Sequence, residues 1–262
     1  MIYSVKRMDD EMFRTTLHHQ GRTVVNYYTG ETDVILVEPN ASLDGGKIYC
    51  NSNSWIRRGD IIKVSGNWFV VSHLSNLASD TYNAGLITMC DVSLKLRLGK
   101  YVYEVPAVAS KYSGNSNVRG VIDDSVEGQL SFITGYHEEF DELDDNPCVS
   151  VFGKVWQIGN YLNVNNVMTV YCQGVDSAMP VELCVEKIPE TVRVGEEIEL
   201  KIHVLNTASM AVPSDIKITL SGTNSGTVDG NTIKFTKTGK YSFTITSKTL
   251  GVYYTSPDIT VI

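Results

Sequence analysis

The sequence predicts a mainly β protein of two domains: a barrel-like or twisted-sheet first domain with one short helix, and a small β-sandwich at the C-terminus. Three observations predict it. Short apolar runs separated by Gly, Asn, Asp and Ser recur along almost the whole chain, as strands and tight turns require. Only one stretch, Asp9 to Gln20, carries helical spacing, with Met12, Phe13 and Leu17 roughly on one face. Residues 181–262 hold six or seven short alternating segments, the strand density of a sandwich.

After the helix, Val34-Ile-Leu-Val37 and Lys47-Ile-Tyr-Cys50 read as strands, and the double glycine Gly45-Gly46 before the second reads as a plain turn. Asp60-Ile-Ile-Lys-Val64 and Trp68-Phe-Val-Val71 form a hairpin across Ser65-Gly66-Asn67, with the Gly-Asn pair supplying positive φ. Residues 85–90, 92–98 and 101–105 follow as strands. Residues 110–127 are rich in Ser, Gly and Asn and read as a long loop. Gln129-Leu-Ser-Phe-Ile133 resumes strand character, and the acidic run from His137 to Asn146 reads as a solvated loop or short helix. It lacks the ligand spacing and central Gly of a calcium loop.

The first domain carries an internal echo. Residues 66–70 with 85–90, and 153–158 with 166–172, both read as an apolar strand with Trp followed by a strand carrying Thr and ending in Cys. Two copies suggest paired β-units whose edges a barrel or twisted sheet pair would seal. Trp68 and Trp156 are then expected in the core.

Gly, Asp, Ser and Pro cluster in Gln173-Gly-Val-Asp-Ser-Ala-Met-Pro180, which sets the expected domains at 1–176 and 181–262, with a protease-sensitive joint between them. In the second domain Ile198, Leu200, Ile202 and Val204 face in and Glu199, Lys201 and His203 face out. Val228-Asp229-Gly230-Asn231 marks a hairpin. The run Pro189 to Gly195 and the run Gly239-Lys-Tyr241-Ser-Phe243 resemble bacterial immunoglobulin-like domains, over about a third of the chain. The resemblance places Tyr241 at a tyrosine corner, and with Cys184 as the one cysteine here the disulfide of antibody domains has no counterpart.

The progression Arg58-Gly-Asp60-Ile-Ile, Trp68-Phe-Val-Val71 and Gly85-Leu-Ile-Thr-Met-Cys90-Asp-Val-Ser-Leu94 resembles virion structural proteins of tailed bacteriophages from Gram-positive hosts. It implies a head–tail connector, neck or tail component assembled as a ring in the host cytoplasm and residing in the virion. Its implied partners are copies of itself and portal, neck or tail proteins. DNA would pass without sequence-specific binding, and an outward immunoglobulin-like domain would be available to a host-surface glycan. The alternative is a carbohydrate- or cell-surface-binding module or adhesin. Trp55 and Tyr253-Tyr254 are the rings considered for sugar stacking.

Charge and motif content fit a non-enzymatic role. The net charge is −8, with 8 basic and 9 acidic residues in 181–262 and 14 and 21 in 1–180, so the acidic excess belongs to the first domain. Such a balance argues against a nucleic-acid grip. The N-terminus lacks the apolar core of a signal peptide, and no apolar run reaches the ~20 residues of a membrane helix, so no membrane partner is expected. Cys50, Cys90, Cys148, Cys172 and Cys184 are an odd set without CxxC spacing, expected as reduced, buried thiols. His73 lies beside Ser72 but reads as a strand-end residue, and the adjacent His18 and His19 diverge on a helix by about 100°. No nucleophile elbow or phosphate loop occurs, so no catalytic, cofactor or metal residue is expected.

Overall fold

The computed structural model describes residues 10–39, 44–75, 81–113, 116–118, 129–142, 148–152, 154–174, 180–206, 211–222 and 224–262. It is mainly β, with a closed six-stranded barrel and further sheets. The chain divides into two compact units, each built from separate stretches. The first comprises 1–93, 106–138 and 160–171; the second comprises 94–105, 139–159 and 172–262. The expected joint between Gln173 and Val181 falls largely on 175–179, outside the described residues.

The first unit opens with helix α1 (Asp10–Gln20) and strands β1 (Arg22–Asn26), β2 (Thr32–Pro39), β3 (Gly45–Asn51), β4 (Ile61–Val64), β5 (Asn67–Ser75) and β6 (Tyr82–Met89). They close in the order β1-β2-β3-β6-β5-β4, with β1 pairing antiparallel to both β2 and β4. Closure leaves no free edge. Val24, Ile35, Ile48, Cys50, Ile62, Val64, Val71 and Ile87 fill the inside. Alternate residues Leu36, Tyr49 and Tyr82 face outward and are covered by α1, whose Phe13 stacks on Tyr82 at 4.8 Å. Met12, one position from Phe13 and so about 100° around the helix, is 60% exposed instead of sharing its face.

Two readings of the barrel are corrected. Gly45-Gly46 is not a turn: both lie inside β3, opposite Thr88 and Ile87 of β6. A Cβ on Gly45 would strike the Ile87 carbonyl and one on Gly46 the Glu38 carbonyl, so close backbone approach is the reason for glycine here. In the β4–β5 hairpin the positive φ falls on Ser65 (49°) and Gly66 (93°), with Val64 facing Asn67. That is the two-residue mirror-image turn that matches strand twist.

Trp68 is also corrected. It is half-buried, because its register partner is Lys63 on the outer face, whose ammonium lies 5.2 Å over the indole. Tyr27 meets the same ring edge-on at 5.0 Å. Trp156, by contrast, is buried, and its indole donates to the Val151 carbonyl.

Strands β7 (Val92–Leu98), β8 (Tyr101–Ser113), β9 (Ser116–Val118), β10 (Gln129–Gly135), β11 (Cys148–Val151), β12 (Lys154–Val164) and β13 (Val167–Gly174) follow, with a 3-10 turn at Glu138–Glu142. The stretch 110–127 is therefore not a single loop: β8 runs to Ser113 and folds back on β9, while 114–115 and 119–128 lie outside the described residues. Of the acidic run, 143–147 lie outside them too. Within the first unit β10 pairs with the second half of β8, Phe132 facing Ala109, and the buried Thr134 hydroxyl donates to the Pro106 carbonyl. The echoed hairpins β5–β6 and β12–β13 are both present, but the barrel closes with the first alone.

The second unit contains β14 (Glu182–Glu186), β15 (Thr191–Val192), β16 (Glu197–Glu199), β17 (Ile202–Leu205), β18 (Lys217–Leu220), β19 (Gly226–Asp229), β20 (Thr232–Phe235), β21 (Gly239–Tyr241), β22 (Phe243–Ser247), β23 (Val252–Thr255) and β24 (Ile259–Val261). β14 pairs with β17, and β16, which precedes β17 along the same run, pairs in the order β16-β20-β19. Two further three-stranded sheets run β18-β22-β23 and β15-β24-β21, with β15 parallel to β24. These short sheets share one apolar core, as the layers of a β-sandwich do. Ile198, Leu200, Ile202 and Val204 are all buried in its core with Phe235, Phe243 and Ile245. The Tyr241 hydroxyl donates to the Thr238 carbonyl at 3.1 Å and its ring stacks on Phe235, completing the tyrosine corner. One contribution comes from upstream: Tyr101 and Val102 of β8 pair parallel with Val185 and Glu186, and Val102 is fully buried in the sandwich core.

Candidate functional site

Two surfaces carry more exposed apolar or polar chemistry than their folds need. The first is the end of the β12–β13 hairpin in the first unit. Asn165 and Asn166 occupy its two-residue turn with φ of 52° and 64°, a conformation that Asn tolerates best after Gly. Residues 160–166 are exposed on both faces of the strand, although Tyr161, Leu162 and Val164 are apolar. Leu162 is 51% exposed. The base of this turn is anchored, since the Tyr136 amide donates to the Asn166 carbonyl at 2.8 Å. It is a held apolar projection rather than a loose loop.

The second surface is a cleft of about 400 Å³ in the sandwich unit, lined by Arg97, Lys100, Glu182, Cys184, Tyr253 and Tyr254 among others. Its wall is a charged pair: Arg97 donates to Glu182 and, through Nε, to the Gly99 carbonyl at 3.1 Å. The Cys184 thiol donates to the Lys100 carbonyl. The neighbouring tyrosines point opposite ways, as successive strand residues must. Tyr253 is 75% exposed, whereas Tyr254 is 8% exposed and sits against Phe243. Burial raises the Tyr254 phenol pKa, and its hydroxyl has no hydrogen-bond partner among the described residues. A buried hydroxyl without a partner is costly, which makes this a place where a ligand oxygen could be accommodated.

The other residues singled out from the sequence do not converge. Trp55 is half-buried and its indole donates to the Thr32 carbonyl, so it is no open stacking platform. His73 is exposed beside a bulge in β5, where the Ser72 hydroxyl donates to the Leu86 carbonyl. His18 and His19 are exposed in the last turn of α1, their rings edge-to-face at 5.0 Å. The cleft was not legible because its walls come from residues 97–100, 181–184 and 251–255, which no local spacing connects.

All five cysteines are free thiols. Burial pushes Cys50 up to about 11 and Cys90 and Cys172 up to about 12, and it raises Cys148 as well. These are therefore unreactive thiols at neutral pH. A thiol pKa raised by folding stabilises the folded state fully below the unfolded value near 9, and that contribution is lost as pH climbs through the folded value. The denaturation midpoint should fall between about pH 9 and 11, and fall less in a Cys90→Ala/Cys172→Ala variant. A midpoint that stays level over that range would contradict the assigned burial.

No protein-family model matches this chain, and no curated protein matches its sequence.

Proposed function

We propose that this chain is a non-enzymatic structural component of a tailed-phage virion, of the head–tail connector, neck or tail class, which assembles as a ring of identical copies. The observation that supports the reading best is the β12–β13 projection. A strand end exposed on both faces yet carrying Tyr161, Leu162 and Val164 contributes little to its own unit's core. Apolar surface of that kind is typical of interaction sites. Tyr161 is of a residue type enriched in interface hot spots, with Leu162 and Val164 adding apolar contact area beside it. The net charge of −8 suits a surface past which DNA slides without sticking.

Native mass spectrometry tests it directly. The full chain should give one closed oligomer at micromolar concentration, and Leu162→Asp with Val164→Asp should reduce it to monomers with unchanged secondary structure. Each substitution is at an exposed position, so its effect on folding should stay within about 0.5 kcal/mol. A wild-type chain that is monomeric throughout would defeat the proposal.

A second reading, a glycan-binding module, is favoured by the sandwich cleft with the exposed Tyr253 ring at its mouth. Sugars stack on such rings, and the cleft volume is within the range of small-ligand sites, ~300–1,000 Å³. On a glycan array, wild-type binding that Tyr253→Ala abolishes would establish this reading. Wild-type protein that retains no glycan would remove it.

A further inference from the structure

Three adjacent strands of the second unit bring together residues that lie as much as 99 positions apart in sequence: Glu104 on β8, Glu186 on β14 and His203 on β17. The register explains the meeting. Val102 faces Glu186 across the parallel β8–β14 ladder, and Cys184 faces His203 across the antiparallel β14–β17 ladder. One donor atom from each of the three residues lies within 4.8 Å of the others. The His203 Nε2 is 3.1 Å from one Glu186 oxygen, and the Lys201 ammonium is 3.0 Å from the other. The His203 side chain is 11% exposed and that of Glu186 27%, whereas Lys201 is 66% exposed.

We propose that Glu104, Glu186 and His203 form a binding site for a divalent transition-metal cation, with Zn²⁺ the best fit. One imidazole and two carboxylates suit zinc better than calcium or magnesium, which favour all-oxygen shells of six or more ligands. Tetrahedral zinc with ligands at about 2.0–2.2 Å holds neighbouring ligand atoms about 3.3 Å apart. The His203–Glu186 pair is already near that spacing, and since no separation exceeds 4.8 Å, a side-chain adjustment of at most about 1.5 Å closes the rest. Three strands fix the backbones, so little chain order must be created on binding. A water on the solvent side completes the fourth position.

The competing arrangement is an ordinary ion-pair network in which Lys201 supplies the cation. Electrostatically the ammonium and the metal contend for the same carboxylate. Because Lys201 is mostly exposed, it can swing into water at small cost, leaving Glu186 to the metal. The two arrangements predict opposite responses to loss of that lysine. If the cluster is a metal site, Lys201→Met removes a competitor and tightens binding. If it is only a network, Lys201→Met leaves a protein that still binds no metal.

The test is calorimetric titration of the chelator-stripped full chain with Zn²⁺, alongside the melting temperature with and without the ion. One Zn²⁺ per chain is expected, with a raised melting temperature. Affinity should drop more than about tenfold in Glu186→Gln and in His203→Ala, and rise severalfold in Lys201→Met. Millimolar Mg²⁺ or Ca²⁺ should not compete. Should either site variant fail to fold by circular dichroism, Glu104→Gln replaces it with the same expectation. The absence of stoichiometric Zn²⁺ binding would overturn the proposal. So would binding that survives all three site substitutions, which would place the metal elsewhere, on the thiols for example. The outcome does not depend on the virion role, which oligomeric state tests separately.

Discussion

Gly59→Ala should lower the melting temperature of the first unit by roughly 10 °C, or prevent its folding, a loss of about 2–5 kcal/mol. Gly59 has φ of +92°, where an L side chain is strained by about 1–2 kcal/mol. It is also pressed against backbone: a Cβ there would collide with the Asn166 carbonyl and its neighbouring atoms. The obstacle is main chain, already held by the Tyr136 amide, so it cannot rotate aside. Displacing packed backbone costs a further 1–3 kcal/mol or so. Gly66→Ala is the matched control. Gly66 has φ of +93° but nothing within 4 Å of its Cβ position, so it should lose the strain alone, about 1 kcal/mol. Equal melting temperatures for the two variants would show that the Gly59–Asn166 approach is not tight.

The contrast between those glycines also shows how far the sequence could be read. Local chemistry was legible. The β4–β5 hairpin follows from apolar alternation broken at Ser65-Gly66-Asn67, though its positive φ falls on Ser65 and Gly66, and the sandwich strands follow from Ile198, Leu200, Ile202 and Val204 spaced two apart. Tyr241 was placed at its corner from a motif of five residues, because the hydrogen bond it makes is only three residues long. What depended on distant partners was not legible. Glycine marks both a turn and a close strand approach, so Gly45-Gly46 looked like a turn until β6 came alongside. Trp68 has the β-propensity of a core residue, but its face is set by pairing with Lys63. The Glu104, Glu186 and His203 cluster has no local spacing at all. It exists because a strand from upstream joins the leading edge of the sandwich.

That upstream strand has an energetic consequence, and Val102→Asp should expose it by unfolding the sandwich unit. Val102 is 0% exposed and packs within the same core as Leu183, Val185, Phe235 and Phe243. A carboxylate placed there sits among apolar side chains with the acidic Glu186 as its register partner, so it must either stay charged in an apolar core or take up a proton near neutral pH. Either route costs several kcal/mol, comparable to the whole stability of a small sandwich. The conservative Val102→Ala removes only packing and should be milder, about 1–3 kcal/mol. The same contact bears on any fragment of the chain. A piece beginning at Val181 lacks β8, so it loses the Tyr101–Val102 ladder, the Arg97–Glu182 pair and the cover that Val102 gives the core. Supplying 94–105 as a separate peptide should raise that fragment's melting temperature. The same peptide carrying Asp in place of Val102 should not. Limited proteolysis of the full Val102→Asp chain should cut within 181–262 well before wild type is cut there. Equal protection of those residues in the two proteins would mean that the sandwich closes its core without β8.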